Sequence, residues 1–326
     1  MYFLPAFFDH FRRLGVEQFL ILDDCSDDGS SEFLAEQPDC VVLKSPLRFG
    51  EIVSLHRGWL RKPIPVRAEI WMKHMIPQLF LRNQWHIYVD ADEFMVLPEE
   101  VSNLQALTKA LDKLGEVAVA GPMLEFYPET IADMRYEARP NCFEHLIEKN
   151  PFFDKGRLIS VNRKGSISKH NPSTSGRLFA KHGLNSLPTQ EQMRAEGKPV
   201  ITEGKVNWWT GAAIHKVPLL KGSMRVKRKG SHHVSAKLCQ DLTLPLCHFK
   251  FTNDAWRRMQ EAVSSGAWSK GSAKYRRYVQ LMQAMNTRNE SFIYEHSTKF
   301  RGPSDLMATG HMVCGPRILG NLCSDY

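Results

Sequence analysis

The sequence lacks the cysteine patterns that mark disulfide-stabilised or zinc-binding proteins. Its seven cysteines are widely spaced and include no C-x-x-C pair. Their odd number and spacing argue against a disulfide framework and a structural zinc site, and are typical of reduced thiols in a cytosol. The opening MYFLPAFFDHF has no basic leader, so we predict no signal peptide. No apolar run approaches the roughly eighteen residues that a membrane-spanning helix needs. We expect a cytoplasmic protein, with peripheral association on the inner membrane face as a further expectation.

The sequence also lacks internal repeats, low-complexity segments and the composition of a disordered chain. Hydrophobic residues make up 43% and charged residues 24% of its 326 residues, which is the balance of a globular protein. A chain of this length buries a sizeable core without disulfides. Helix-like and strand-like stretches alternate through the first half. This alternation predicts an α/β fold with a mixed, mostly parallel sheet flanked by helices.

Charge of one sign is in excess, because the net charge is +8 and most of it lies in the C-terminal half. The densest runs are Lys221–Lys229 (KGSMRVKRK) and Lys270–Arg277. Solvated protein faces are the first interpretation, and an anionic acceptor or membrane is the second. Nucleic acid comes last, because these runs lack interleaved stacking aromatics and a recognisable binding motif. We therefore predict no nucleic-acid partner.

Periodicity locates several elements. Apolar residues between Phe3 and Leu14 recur at helical spacing and predict a helix. Residues 18–22 predict a short buried strand, and residues 64–82 a helix that is bent or broken near Pro77. We interpret residues from about 135 to 200, which are rich in Asn, Pro, Gly, Ser and Lys, as long loops. Order returns with a strand over residues 244–251.

The segment HIYVDADEF places two carboxylates directly after a buried strand. Asp90 and Asp92 stand at i and i+2, where an α/β fold binds ligands at the carboxyl edge of its sheet. Such a pair suits a hard cation, Mg²⁺ or Mn²⁺, which in turn bridges phosphate oxygens. An acidic turn that caps the next element is the alternative, since a lone D-x-D is common.

A second strand ends in LDDCSDDGS. Asp23 and Asp24 are candidates to accept hydrogen bonds from ribose hydroxyls or a base N–H, because an ionised carboxylate only accepts. An ordinary turn between strand and helix is the alternative, and we assign Asp27, Asp28 and Gly29 to that turn. Asp24 has the stronger claim to function.

The strand over residues 244–251 alternates two kinds of side chain. Leu246, His248 and Lys250 share one face, and the opposite face carries Cys247, Phe249 and Phe251. We expect the aromatic face to be core, and His248 and Lys250 to point at a cleft near Asp90 and Asp92. A neutral imidazole ligates Mn²⁺, and Lys250 would neutralise diphosphate charge. A core histidine bonded to a carbonyl is the alternative for His248.

Taken together and in order, these segments resemble the family 2 glycosyltransferases, in the bacterial branch with an L-P-x-F-x-x-H-x-R-x-L-G-V opening. The matching segments are Leu4–Val16, Leu22–Ser30, Tyr88–Pro98, Met123–Pro128, Ser231–His233 and Leu246–Phe251. The resemblance implies the type A glycosyltransferase fold, which is Rossmann-like. It implies a nucleoside contact for Asp24, a metal and diphosphate site at Asp90 and Asp92, and His248 as the residue that completes the metal site. Glu93 belongs to the motif with a weaker claim to ligation.

The resemblance also implies a function and a division of the chain. We expect transfer of a sugar from a nucleotide-diphosphate sugar, with a UDP-sugar as first choice, to a glycan or lipid-linked acceptor, with Mn²⁺ or Mg²⁺ as cofactor. We expect residues 1–134 to bind the nucleotide-sugar, residues 135–252 to form the acceptor and metal side, and residues 253–326 to form C-terminal helices. The family normally has a strand before the Leu-Pro helix, and we expect that first strand to be missing here.

An inverting transfer needs a general base, because the acceptor hydroxyl loses a proton as it attacks. Glu125 and Asp154 are the candidates, with Asp241 as a rival. A non-catalytic carbohydrate-binding protein or a truncated inactive homologue is the alternative function. A metal-dependent phosphotransferase is a weaker one, since aspartyl-phosphate enzymes need Thr or Val two residues after the second Asp, where this chain has Phe94.

Overall fold

The computed structural model describes residues 1–48, 50–55, 64–135, 139–184, 213–230, 232–266 and 269–322. The helices are α1 (Leu4–Arg13), α2 (Ser30–Ala35), α3 (Ala68–Phe80), α4 (Leu104–Lys113), α5 (Phe143–Lys149), α6 (Thr174–Lys181), α7 (Ala255–Ser265), α8 (Ser269–Thr287), α9 (Pro303–Ala308) and α10 (Pro316–Leu322), with a 3-10 turn at Ala132–Met134. The strands of the first half are β1 (Phe19–Asp23), β2 (Cys40–Lys44), β3 (Ile52–Leu55), β4 (Ile64–Arg67), β5 (Trp85–Ile87), β6 (Glu93–Met95) and β7 (Ala118–Glu125). The remaining strands are β8 (Phe152–Asp154), β9 (Ile159–Val161), β10 (Ile167–Lys169), β11 (His215–Lys221), β12 (Leu242–Thr243), β13 (Leu246–His248), β14 (Ser297–Lys299) and β15 (Val313–Cys314).

A seven-stranded sheet forms the centre of the molecule. Its main path runs β15-β12-β7-β11-β5, and β13 lies between β7 and β6. Helices flank the sheet, so the predicted mixed α/β class is confirmed. The prediction that the sheet is mostly parallel is wrong: among its described strands only β12 and β13 run parallel to β7, while the other pairings are antiparallel. These antiparallel pairs join strands far apart in the sequence, such as β6 with β13 and β5 with β11.

The first helix and strand lie close to their predicted positions. The helix α1 has Pro in its first turn and buries Phe7, Phe8 and Phe11. The ring of Phe8 packs on Phe19, which opens β1, with ring centroids 4.3 Å apart. Strand β1 pairs in parallel with β2 in a separate two-stranded sheet, so these strands do not extend the central sheet.

Two predicted segments differ from the structure. Residues 64–67 form β4, which pairs with β3, and α3 begins only at Ala68 and contains Pro77. The stretch from about 135 to 200 is not simply loop: its described part contains α5, β8, β9, β10 and α6. Helix α6 begins at a Ser173 cap, whose side chain accepts a hydrogen bond from the Gly176 backbone. The polar composition of the described part of this stretch therefore reflects the caps and turns between its short elements.

The segment over residues 244–251 carries the predicted faces but not one continuous strand. Pro245 separates β12 from β13, since proline has no N–H to donate to a strand pairing. Cys247, Phe249 and Phe251 are fully buried, as predicted. The central sheet includes strands from all three predicted segments, and the division of the chain at residues 134 and 252 stays a prediction. No helix among the described residues is long and apolar enough to cross a membrane.

Candidate functional site

Three neighbouring strands place ionisable side chains in one row. His248 of β13 stands opposite Glu93 of β6 on one side and opposite Glu125 of β7 on the other. Residues in register on neighbouring strands project from the same face of a sheet. The row therefore joins the D-A-D-E segment to the strand near residue 250, as the sequence predicted for His248.

Asp92 lies immediately before β6 and faces the same histidine. Its Oδ2 atom is 3.5 Å from His248 Nε2 and 3.2 Å from Arg258 Nη1 of α7. Burial works against ionisation of Asp92, but its interactions with His248 and Arg258 outweigh burial and lower the pKa of this carboxyl. Asp92 therefore stays ionised and is already surrounded by positive charge.

Asp90 and Asp92 do not act as one pair, because the chain turns between them. The Glu93 backbone N–H donates to the Asp90 carbonyl over 3.0 Å, which closes the turn. The Asp90 side chain is 53% exposed, and its Oδ2 lies 3.0 Å from Lys216 Nζ. Glu93 instead enters the buried row as the first residue of β6. The structure thus groups Glu93, rather than Asp90, with Asp92 and His248.

Lys216 is the cation between Asp90 and Glu93. Its ammonium contacts both carboxylates, and these two charges raise the pKa of Lys216 despite its burial. The pairing register of β11 with β7 shifts between Lys216 and Leu219. An irregularity of this kind re-aims side chains locally.

Asp92, Glu93 and His248 meet the basic requirement of a metal centre. Each offers one ligand atom, and these atoms all lie within 4.8 Å of one another. Glu93 Oε1 and His248 Nδ1 are buried, and neither atom has a hydrogen-bond partner among the described residues. Burial raises the pKa of Glu93, although Lys216 opposes this. Two carboxylates and an imidazole suit Mn²⁺. They suit Mg²⁺ less well, because Mg²⁺ prefers oxygen ligands and the imidazole offers a nitrogen.

Glu125 is the anchor of a second part of the site. Its Oε1 accepts from Lys250 Nζ over 2.8 Å and from Ser175 Oγ over 2.6 Å, and Oε2 accepts from the Ser175 backbone. Tyr278 of α8 donates to Ser175 Oγ over 2.8 Å. Although Glu125 is buried, Lys250 and its other partners lower its pKa to about 2. A carboxylate this stable holds Lys250 in place but accepts a proton poorly.

Helix α8 adds a further cation beside Lys250. The ammonium of Lys274 lies 5.8 Å from the centre of the Tyr278 ring. Burial and the neighbouring positive charge of Lys250 lower the pKa of Lys274 to about 7. Together with Arg258, these lysines line the side of the site contributed by residues after 248. A bound anion would find positive charge there.

Three predicted residues lie outside this cluster. Asp23 accepts hydrogen bonds from the Ser26 backbone and from Ser31 Oγ, which is the ordinary turn considered as its alternative. Asp24 is the next residue and is half-buried. Asp154 pairs with Arg177, with Nε to Oδ2 at 2.9 Å, and accepts from the Tyr127 hydroxyl. The nucleoside contact of Asp24 and the base role of Asp154 stay predictions.

Sequence reasoning did not identify Lys216, Arg258 or Lys274. Nothing around these positions forms a motif, because each reaches the site only through strand pairing or helix packing. The alternation of residues 244–251 did place Lys250 on the face of His248, where both lie beside Glu125. Glu93 gave no comparable signal, because its place in the row depends on the pairing of β6 with the strand that carries His248.

Comparisons with known proteins add no assignment. No protein-family model, no curated protein and no solved structure matches the chain.

Proposed function

We propose that this protein is a glycosyltransferase of type A fold, which moves a sugar from a nucleotide-diphosphate sugar, with a UDP-sugar as first choice, to a glycan or lipid-linked acceptor. The observation that carries the proposal is the convergence of Asp92, Glu93 and His248 within 4.8 Å, next to Lys250, Lys274 and Arg258. Carboxylates with an imidazole suit a divalent cation, and the adjoining cations suit a diphosphate. The order of the segments along the chain supports the same class.

In this proposal Asp92, Glu93 and His248 hold Mn²⁺ or Mg²⁺. The unpartnered oxygen of Glu93 is an atom whose burial a cation would offset, and His248 faces Asp92 with Nε2, 3.5 Å from Oδ2. When bound, the cation supplies Lewis-acid stabilisation of the departing diphosphate. The cation must compete with Arg258 for Asp92, so we assign Arg258 to the diphosphate in the loaded enzyme.

Lys250 is the fixed positive charge of the proposed diphosphate site. Glu125 and Tyr278 both bind its ammonium, at 2.8 and 3.1 Å, which fixes its direction before a ligand arrives. Preorganised charge of this kind needs no reorganisation during the reaction. We therefore assign Glu125 to positioning Lys250 rather than to proton abstraction.

The central experiment measures binding of nucleoside diphosphates in the presence and absence of Mn²⁺. We expect UDP with Mn²⁺ to raise the melting temperature of the parent protein, because a ligand that binds only the folded state stabilises it. Asp92→Asn removes a charged ligand and should weaken Mn²⁺-dependent UDP binding at least about tenfold. His248→Phe, which fills the same space without a ligand atom, should do the same. Exposed Glu99→Gln is the matched control.

Unchanged Mn²⁺-dependent binding in Asp92→Asn would remove Asp92 from the ligand set. Absence of binding to every nucleoside diphosphate, with or without metal, would overturn the transferase proposal. Melting in ligand-free buffer separates either result from misfolding, since these substitutions should leave the apolar core intact.

A non-catalytic carbohydrate-binding protein is the second candidate. The observation that favours it is the internal balance of charge: Lys216 pairs with Asp90 and Glu93, and Arg258 pairs with Asp92. Such a cluster is stable without a cation. Release of nucleoside diphosphate from a donor sugar in the presence of Mn²⁺ separates the two, since only a transferase catalyses that cleavage.

A further inference from the structure

A basic and apolar surface lies where the end of α3 meets the loop of residues 222–229. Its apolar members are Leu79, Phe80 and Met224, whose exposed fractions are 65%, 52% and 73%. Its exposed basic members are Arg82, Arg225, Lys227 and Lys229. The Asn83 backbone N–H donates to the Gly222 carbonyl over 2.7 Å, which joins the two segments. We call these seven side chains the basic–apolar surface.

The two segments also share a cleft, so they form one continuous surface. The cleft has a volume of about 80 Å³. His74, Pro77 and Gln78 line it from α3, and Met224 and Lys227 line it from the loop. Large exposed apolar side chains grouped in this way are unusual for a surface that meets only water.

The loop is held in a defined shape by its own hydrogen bonds. The Ser223 N–H donates to the Val226 carbonyl over 3.0 Å, which makes a tight turn with Met224 and Arg225 at its tip. Arg228 is buried at the base, where Nη1 donates to the Val217 carbonyl over 2.9 Å. Its guanidinium carbon lies 4.9 Å from the centre of the Tyr88 ring. An apolar side chain is therefore presented to solvent on an anchored turn.

The charge of this surface has one sign. The sequence contains no Asp or Glu at positions 70–89 or 204–240. The acidic residues that contact these ranges are already paired: Lys221 and Trp85 Nε1 engage Asp112 of α4 at 2.7 and 3.1 Å, and Lys216 engages Asp90 and Glu93. The four exposed basic residues therefore give this surface a positive charge, which is complementary to an anionic partner.

We propose that the basic–apolar surface binds the face of an anionic lipid bilayer. Met224, Leu79 and Phe80 would enter the boundary between headgroups and acyl chains, while the four exposed basic residues contact the headgroups. Apolar burial combined with attraction to anionic lipid is the mode of peripheral membrane proteins. A polyanion such as nucleic acid matches the positive charge, but it provides no apolar region in which Leu79 and Met224 could be buried. This inference does not depend on the proposed function.

The experiment measures sedimentation of the full chain with vesicles. Phosphatidylcholine vesicles with about 30% phosphatidylserine should bind the protein, and pure phosphatidylcholine vesicles should bind it much less. Each basic residue near such a surface strengthens binding by about fivefold. Arg225→Glu with Lys227→Glu should therefore reduce binding more than about twentyfold. Lys299→Glu with Arg301→Glu reverses two exposed charges outside both segments and should change binding little.

The apolar contribution has its own variants. Met224→Ser should weaken vesicle binding severalfold, and Met224→Leu should retain it. Equal binding by all three proteins would overturn insertion of Met224, and absence of binding to anionic vesicles would overturn the proposal. Binding to a DNA duplex without binding to vesicles would assign the surface to nucleic acid instead. Because the turn is exposed, circular dichroism should be the same for every variant.

Discussion

Lys216 and Lys250 illustrate how single residues hold the candidate site together. Each is a lysine on or beside a buried strand, and each pairs with a carboxylate that is itself buried, Glu93 or Glu125. A buried charge without its partner is strongly unfavourable. The two ion pairs therefore fix where positive charge stands around His248 and the proposed metal ligands.

Glu125→Gln tests one of these pairs. The substitution keeps the shape but leaves the Lys250 ammonium without its carboxylate, so we expect a loss of about 3–5 kcal/mol in the free energy of unfolding. Urea unfolding measures this loss. Glu261→Gln is the matched control, because Glu261 and Arg257 form an exposed pair at 2.7 Å, and its removal should cost less than about 1 kcal/mol.

The same variant has a characteristic pH dependence. The pKa of Glu125 is about 2 in the folded protein and 4.5 ordinarily, so the ionised form stabilises the fold above pH 4.5. That stabilisation is lost as pH falls through about 2. The difference between the parent and Glu125→Gln should be constant above pH 4.5 and should shrink below it. A difference that grows with falling pH would contradict the pairing.

Individual site residues were predictable where the local pattern fixes the direction of a side chain. His248 and Lys250 alternate with Phe249 and Phe251, and burial of the aromatic residues sends the other two to the opposite face. Asp90 and Asp92 were not distinguishable in this way. Their separation depends on a turn that Glu93 closes, and Glu93 gains its place only by pairing with a strand about 155 residues later.

At the scale of elements, the predictable ones carry their own start and stop signals. Helix α1 has Pro near its beginning, Gly15 beyond its end and an apolar stripe, and it forms where expected. Residues 64–67 lack such a signal and become β4 because β3 offers a partner. Antiparallel pairing of β11 with β5 and β7 could not be predicted either, because it depends on contacts between distant segments.

Strand β7 contains a point of very close packing that a substitution can test. A Cβ atom at Gly121 would lie 1.9 Å from the Leu244 carbonyl oxygen, which is backbone and cannot rotate away. Gly121→Ala should therefore force β7 and β12 apart and destabilise the protein by about 1–3 kcal/mol or more. Thermal and urea unfolding measure the effect.

Gly320→Ala is the control for this substitution. Gly320 lies in α10, and a Cβ atom there would meet nothing within 4 Å. Alanine stabilises a helix more than glycine does, so the free energy of unfolding of this variant should rise by about 0.5–1 kcal/mol. Equal stability of the two variants would show that the sheet accommodates a side chain at Gly121.

On the scale of the whole molecule, positive and negative charge are unevenly distributed. The end of α3 and the loop of residues 222–229, which both lie in acid-free stretches of the sequence, meet on one surface, whereas carboxylates converge on the candidate site. Tyr88 lies between the two, since its ring faces Arg228 and its hydroxyl lies 3.4 Å from Asp90 Oδ1. The basic excess visible in the sequence thus has a location that composition alone could not give.

Buried histidines in separate parts of the fold predict how the whole protein responds to acid. Burial lowers the pKa of His86, His215 and His311 to about 4 each, from an ordinary value of 6.5, with further lowering of His86 by Arg228 and of His215 by His232. Between about pH 4 and pH 6.5 the unfolded chain binds more protons than the folded one, so the free energy of unfolding rises with pH. Equivalently, stability is lost as pH falls from 6.5 towards 4, by up to about 3 kcal/mol for each histidine.

His311→Gln isolates one of these contributions. The His311 ring contacts the Asp154 carbonyl through Nε2 at 3.1 Å, and a glutamine amide can donate there without titrating. We expect the free energy of unfolding of this variant to fall less steeply than that of the parent between pH 6.5 and 4, measured by urea unfolding at fixed ionic strength. Exposed His296→Gln should follow the parent curve. If His311→Gln kept the full slope, the folded protein would have to protonate His311 as readily as the unfolded chain does, which its burial beside Phe153 opposes.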